Sequence, residues 1–269
     1  MSLDIGQVLG GKYAVERMVG RSALGAVYQG CDQVSGQRVA IRLIDPEFDN
    51  EQVAAFVEAD LRSAGRLTSD RVAHLVNIGF LPTGERCIIT DYIEGESLAS
   101  RIKRQGRLPE AQVARLLLEL LEGLAVAHAA GVFHRDLTPN SIIIGPAAQV
   151  AGDHATLIDF GICRLQAFSG NASAAKAAGF ETASFQYLSP EQLNRQRDID
   201  ARSNIYSLGA IAYEAATGRR PFEDNDFSDP SVVALQQEPP RVEELAPESS
   251  SPFAQLIRKA MARSPNVRF

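Results

Sequence analysis

Short runs in which apolar and polar positions alternate fill roughly the first ninety residues, and the spacing then turns helical. Tyr13 to Val19, Ala26 to Gln29, Val39 to Ile44 and Cys87 to Tyr92 are rich in β-branched and apolar residues bounded by Gly, Asp or Ser, which predicts four strands. Between the third and fourth, Glu51 to Leu67 sets Val53, Phe56, Val57, Ala64 and Leu67 on one helical face. Beyond Glu94-Gly95, Pro109 opens a helix where its missing N–H costs nothing. Val113, Leu116, Leu117, Leu120, Leu121 and Leu124 follow at helical spacing, and Gly131 ends the run. Two more helices are predicted, from about Asn204 to Thr217 with Ile205, Leu208, Ile211 and Ala212 buried, and from Phe253 to Ala262. A small sheet carrying one helix, followed by a mainly helical part, is an α+β chain. Leu165 to Ala183 is nearly all small residues and is expected to move, while Pro239 to Pro252 is expected to be a surface connection. The chain contains no internal repeat.

Its 269 residues suffice for one large domain or two small lobes. With 45% hydrophobic and 22% charged residues, the composition is that of a soluble globular protein. A net charge of -6 argues against nucleic acid as a partner. No apolar run approaches the ~18 residues a membrane span requires, and the N-terminus lacks the basic and apolar regions of a signal peptide. Cys31, Cys87 and Cys163 lie far apart and are expected to be free thiols in a reducing, cytoplasmic compartment. Metal ligation is the alternative, but His74, His128, His134 and His154 do not stand at ligand spacing with them.

Three triplets carry the chemistry. Before them, a glycine-bearing turn, Val19-Gly20-Arg21-Ser22-Ala23-Leu24-Gly25-Ala26-Val27, would let backbone N–H groups approach a phosphate, although such hairpins are common as plain turns. His134-Arg135-Asp136 follows the long helix, Asp159-Phe160-Gly161 ends the apolar run from Ala155 to Ile158, and Ser189-Pro190-Glu191 comes later. In this order the motifs resemble the protein-kinase signature set, from about Lys12 to the last residue. Gln186 to Gln192 and Ala201 to Gly209 resemble the bacterial (Hanks-type) Ser/Thr branch.

The resemblance implies a bilobal protein-kinase fold, with a β-rich lobe at 1–93 and a mainly helical lobe at 94–269. It implies ATP as ligand. Gly20, Ser22 and Gly25 would cover its phosphates, Val27 and Ala40 with Ile143 would sandwich the adenine, and backbone groups of Asp91 and Ile93, after Thr90, would bond its edge. Asp136 would orient the substrate hydroxyl or accept its proton, a service worth about 10²–10⁴ in rate. Asp159 would hold Mg²⁺. Arg135 would receive a phosphate placed on Ser169, Ser173, Thr182 or Ser184, and Glu191 would pair with Arg268.

Several positions depart from the family pattern. Arg42 stands where the third strand should carry Lys, and of Lys12, Lys103, Lys176 and Lys259 only Lys12 lies in the first lobe, away from the phosphates. Its expected helical partner, Glu in the family, is Asp60, with Glu58 about 200° away as the alternative. Thr138 replaces the usual catalytic-loop Lys. Ser141 replaces the Asn that would bind a second metal ion, so one Mg²⁺ is expected rather than two, unless a register slip brings in Asn140. Asn204 replaces an Asp expected to accept backbone N–H groups of the catalytic loop, at a loss of charge-assisted strength.

Two functions follow from the resemblance. One is a weak Ser/Thr protein kinase using Asp136 and Asp159; the other is a pseudokinase, a signalling or scaffolding module. The protein substrate or partner is not specified by the motifs. Because the family's last helix would continue past Phe269, an excised domain of a longer protein, which could be membrane-anchored, is expected.

Overall fold

The computed structural model describes residues 2–22, 25–46, 61–146, 153–160, 186–194, 199–222 and 237–269. The chain forms two compact units, Met1–Glu94 with Asp159–Phe180, and Gly95–Ile158 with Glu181–Phe269. The β-rich unit thus takes Asp159 and Phe160 along with the first ninety-odd residues.

In the first unit, β1 (Val8–Leu9), β2 (Tyr13–Ser22), β3 (Gly25–Asp32), β4 (Arg38–Leu43), β5 (Leu75–Phe80) and β6 (Arg86–Asp91) make an antiparallel sheet in the order β1-β2-β3-β4-β6-β5. The four predicted strands are present with shifted ends. The edge strands β1 and β5 escaped prediction because they are short or half-exposed, so alternation leaves little trace in them. Alternation sorts the two faces. Tyr28, Val39, Ile41, Leu43, Cys87 and Ile89 point into a core closed by Leu3, Leu9, Tyr13 and Val15. Each such side chain contributes about 1.5–3 kcal/mol by leaving water. Burial also pushes the Cys87 thiol up, away from thiolate. Of the helix expected over Glu51 to Leu67 only residues 61–67 are described; 61–64 are helical, and Leu61, Ala64 and Leu67 are buried.

β2 and β3 pair antiparallel, with Ser22 opposite Gly25. Gly25 has φ 142, and a Cβ there would collide with the Leu43 carbonyl oxygen, so the hairpin can approach β4 only with glycine.

The second unit opens with β7 (Glu96–Ser97), which pairs with β8 (Ile142–Pro146) and β9 (Asp153–Leu157) in the order β7-β8-β9. Its helices include α1 (Leu98–Gln105), α2 (Glu110–Ala129), α3 (Pro190–Leu193), α4 (Ala201–Thr217), α5 (Val242–Leu245) and α6 (Ser251–Ala260). Pro109 turns out to be the cap residue before α2, with extended ψ, and Gly131 follows its end at φ 72. Leu121 is 39% exposed. Glu119, by contrast, is buried because its Oε2 accepts the Ala155 N–H at 2.7 Å and caps an open strand group. α4 starts three residues before the expected Asn204, since Asp200 accepts the Arg202 N–H and caps it there. It is buried on nearly every side, with Ile205 only half-buried. Within the expected connection Pro239 to Pro252, α5 forms and buries Val242 and Ala246. The small-residue stretch Leu165 to Ala183 lies outside the described residues.

Glu191 and Arg268 form a buried two-pronged ion pair, Nη1 to Oε1 at 2.6 Å and Nη2 to Oε2 at 2.9 Å. Arg268 spends further N–H groups on the carbonyls of Ala262, Arg202 and Arg263, and Ser203 Oγ donates to Glu191 at 2.7 Å. Burial by itself would raise the Glu191 pKa, but the bonds from Arg268 and Ser203 prevail and lower it from the ordinary 4.5. A depressed folded pKa means that this stabilisation is present above the ordinary value and is lost as pH falls through the folded value. Arg268→Met should therefore cost about 3–5 kcal/mol at pH 7. In urea titrations that deficit should shrink at pH below the ordinary value of 4.5, where protonated Glu191 no longer needs a cation.

Candidate functional site

On the face of the first unit's sheet opposite its core, register brings four expected residues together. Val27 opposes Arg42 across β3 and β4, and Ala40 opposes Thr90 across β4 and β6. All four are half-buried, offering a surface of small and apolar groups with one cation beside it. Gly20 opposes Val27, and the position its Cβ would take has nothing within 4 Å. Ser22 pairs with Gly25 at the end of the hairpin.

At the end of β6 the Asp91 N–H goes to the His74 carbonyl at 3.0 Å, so the group Asp91 can turn to a ligand is its carbonyl. Sequence reasoning missed His74. It clips the Asp91 carboxylate twice, from its backbone N–H at 3.0 Å and its Nδ1 at 2.7 Å, and so fixes the start of the segment that continues to half-buried Ile93. Arg17 adds a second brace by donating to Tyr92 Oη at 3.0 Å.

Arg42 Nη2 donates to Asp159 Oδ1 at 2.5 Å, with the Arg side chain 11% exposed and the Asp side chain 25% exposed. Asp159 sits at φ 70, a left-handed conformation that Asp tolerates better than most residues. The expected partner Asp60, and Glu58 with it, lie outside the described residues, as do Gly161, Cys163 and the candidate phosphate acceptors Ser169, Ser173, Thr182 and Ser184.

Asp136, Thr138, Ser141 and Ile143 belong to the second unit. Arg135 is held at φ 44 and the Asp136 N–H closes a three-residue turn onto the His134 carbonyl. Such a backbone costs of order 1–3 kcal/mol and persists only where its surroundings fix it. Those surroundings are visible. His134 is fully buried with Nε2 at 2.8 Å from the Ile158 carbonyl, Gln192 Nε2 donates to the Arg135 carbonyl at 2.6 Å, and Asn204 Oδ1 accepts the His134 N–H at 3.1 Å. His128 Nε2 lies 2.9 Å from the same Asn204 oxygen. Asn204 thus does receive a backbone N–H of this loop, through a neutral acceptor. Thr138 is buried at the start of a short 3₁₀ turn, Pro139–Ser141, and Ile143 is half-buried on β8.

Ser141, expected as a metal ligand, has its hydroxyl turned onto its own loop. Its Oγ donates to the Thr138 carbonyl at 2.8 Å and accepts the Thr138 N–H at 3.0 Å. That leaves a single lone pair on a neutral, buried oxygen. Asn140 is exposed next to it.

A profile of the protein kinase domain family matches residues 13–269. The chain belongs to the protein kinase family. Among curated relatives, the serine/threonine-protein kinase pkn3 of Myxococcus xanthus is 30% identical over 98% of this chain and 48% of its own length. The serine/threonine-protein kinase PknA of Mycobacterium tuberculosis is 30% identical over 100% of this chain and 61% of its own length. The kinase domain therefore spans about half to three-fifths of these relatives. In fold it is similar to the Mycobacterium tuberculosis PknI kinase domain, with a TM-score of 0.76 at 23% identity over 100% of this chain and 94% of that one. The protein-kinase fold, an antiparallel sheet unit and a helical unit, is thereby established.

Kinases of this family use ATP and a divalent metal ion. The residues present fit the adenine part, through the small side chains Val27 and Ala40 and the Asp91 carbonyl. They fit the metal poorly. A hard cation seeks oxygen ligands; in the first unit Asp159 Oδ1 already accepts from the Arg42 guanidinium, and in the second the Ser141 hydroxyl is bonded to Thr138. Among the described residues no group of three His, Cys, Asp or Glu side chains is placed to hold a metal ion, and no helix is long and apolar enough to cross a membrane.

Asn204→Ala would strand the buried His134 N–H. It should cost about 1–3 kcal/mol in chemical denaturation and speed hydrogen exchange at the amides of residues 134–136.

Proposed function

We propose that this kinase domain binds ATP on the sheet face formed by Val27, Ala40, Arg42 and Thr90 but transfers its phosphoryl group poorly or not at all. It would then act as a pseudokinase, a binding or scaffolding module of a signalling protein in the cytosol, engaging a protein partner. The observation that carries this reading is the bond from Arg42 Nη2 to Asp159 Oδ1, which sets a protein cation on the carboxylate assigned to the metal.

Phosphoryl transfer depends almost wholly on positioning and electrostatics. Arg42, Asp60, Ser141 and Asn204 all differ from the family pattern at electrostatic parts. If two of them cost ~2 kcal/mol each, the rate falls about a thousandfold.

A weakly active Ser/Thr protein kinase is the second reading. It is favoured by Asp136, kept at the end of a loop still braced by Asn204 and Gln192, with Asp136 orienting the substrate hydroxyl or accepting its proton.

Autophosphorylation of the purified domain with radiolabelled ATP separates the two. Equal background in the native domain and in Asp136→Asn is the expected result; incorporation that disappears in the variant would establish the kinase. In the pseudokinase reading, Arg42→Lys combined with Ser141→Asn should raise incorporation at least about tenfold, one decade of rate being worth about 1.4 kcal/mol.

A further inference from the structure

A carboxylate next to a polyphosphate must be neutralised, since like charges at close range repel. In the first unit the neutralising charge is built into the chain. The Arg42 guanidinium, anchored on β4 and mostly buried, donates to Asp159 Oδ1 at 2.5 Å. A guanidinium has five N–H donors in a planar fork, so it can bond a carboxylate with one and keep others for phosphate oxygens. Lysine, a point charge, serves two anions less well. Magnesium dehydrates reluctantly and takes oxygen ligands at about 2.0–2.1 Å in an octahedron. To reach Asp159 Oδ1 it would have to displace the guanidinium, break a charge-assisted bond and leave two cations crowded beside one carboxylate.

We propose that Arg42 is the resident counter-cation of Asp159, so that this domain binds adenine nucleotide without a divalent metal and gains nothing from adding one. The inference rests on the nucleotide reading above, and all its parts (Val27, Ala40, Thr90, Asp91, Arg42 and Asp159) lie in one compact unit. It makes Arg42 a binding residue that bridges carboxylate and phosphate.

The test is calorimetric titration of the whole domain with ATP, in EDTA and in excess Mg²⁺. The native domain should bind in both buffers with affinities within about threefold, a difference of less than about 1 kcal/mol. Arg42→Met should bind weakly in EDTA and recover about tenfold or more with Mg²⁺, because the guanidinium no longer competes for Asp159 Oδ1. Asp159→Asn, which keeps the shape and guards against a folding defect in the first variant, should bind in EDTA at least as well as the native domain. A native domain that gains tenfold or more from Mg²⁺, with the gain lost in Asp159→Asn, would make Asp159 a metal ligand and overturn the inference while leaving the nucleotide reading intact. Binding in neither buffer would remove the nucleotide reading itself, and the inference with it.

Discussion

Buried polar groups demand partners, and in the helical unit several of them meet at the start of one helix, Ala201–Thr217. Asn204, near its start, offers a single carbonyl oxygen to His128 and to the backbone of His134. Ser203, one residue earlier, donates to Glu191, which also holds Arg268. The catalytic loop and the end of the chain are thus tied to the same turn of helix. The left-handed backbone of Arg135 depends on this arrangement, because a strained turn is kept only when its flanks are pinned. An amide does that pinning with an ordinary hydrogen bond, where a carboxylate would have supplied a charge-assisted one.

The sheet unit solves a different problem. Its core face is a conventional apolar cluster, and on its other face Val27, Ala40 and Thr90 stand beside the Arg42 guanidinium. The consequence of having arginine there comes from its shape. A lysine ammonium would also be attracted to Asp159, but it is compact and strongly hydrated and exchanges partners readily. A guanidinium that is 11% exposed has little water to fall back on. It therefore has to remain bonded to an anion, either the carboxylate it has or a ligand that replaces or supplements it.

Much of the fold could be read from the chain because hydrophobic periodicity survives in four strands and three helices. What was not legible lay where local pattern is weak. The edge strands Val8–Leu9 and Leu75–Phe80 are too short or too exposed to alternate cleanly. The real start of the buried helix was hidden because its cap, Asp200, is a polar residue in a polar stretch. Within the site, the motif residues were visible by spacing, and so was the Glu191–Arg268 pair by family likeness. The partners were not. His74 on Asp91, Gln192 on Arg135 and Arg42 on Asp159 join residues 17, 57 and 117 positions apart, and nothing in the local sequence encodes such contacts. Gln192 had one available signal, since Ser189 three residues before it makes a capping box that fixes where the glutamine side chain begins.

Ser141 and Arg42 lie in different units, yet their local effects have the same sign. The Ser141 hydroxyl folds back onto its own turn, donating to the Thr138 carbonyl and accepting the Thr138 N–H. The Arg42 guanidinium, broader than an ammonium, likewise donates to Asp159 Oδ1 from within the chain. In each unit one oxygen, Asp159 Oδ1 or Ser141 Oγ, is hydrogen-bonded within the chain. On the proposed pseudokinase reading, these bonds, each inside its own unit, are what withhold the metal-centred electrostatics on which phosphoryl transfer depends.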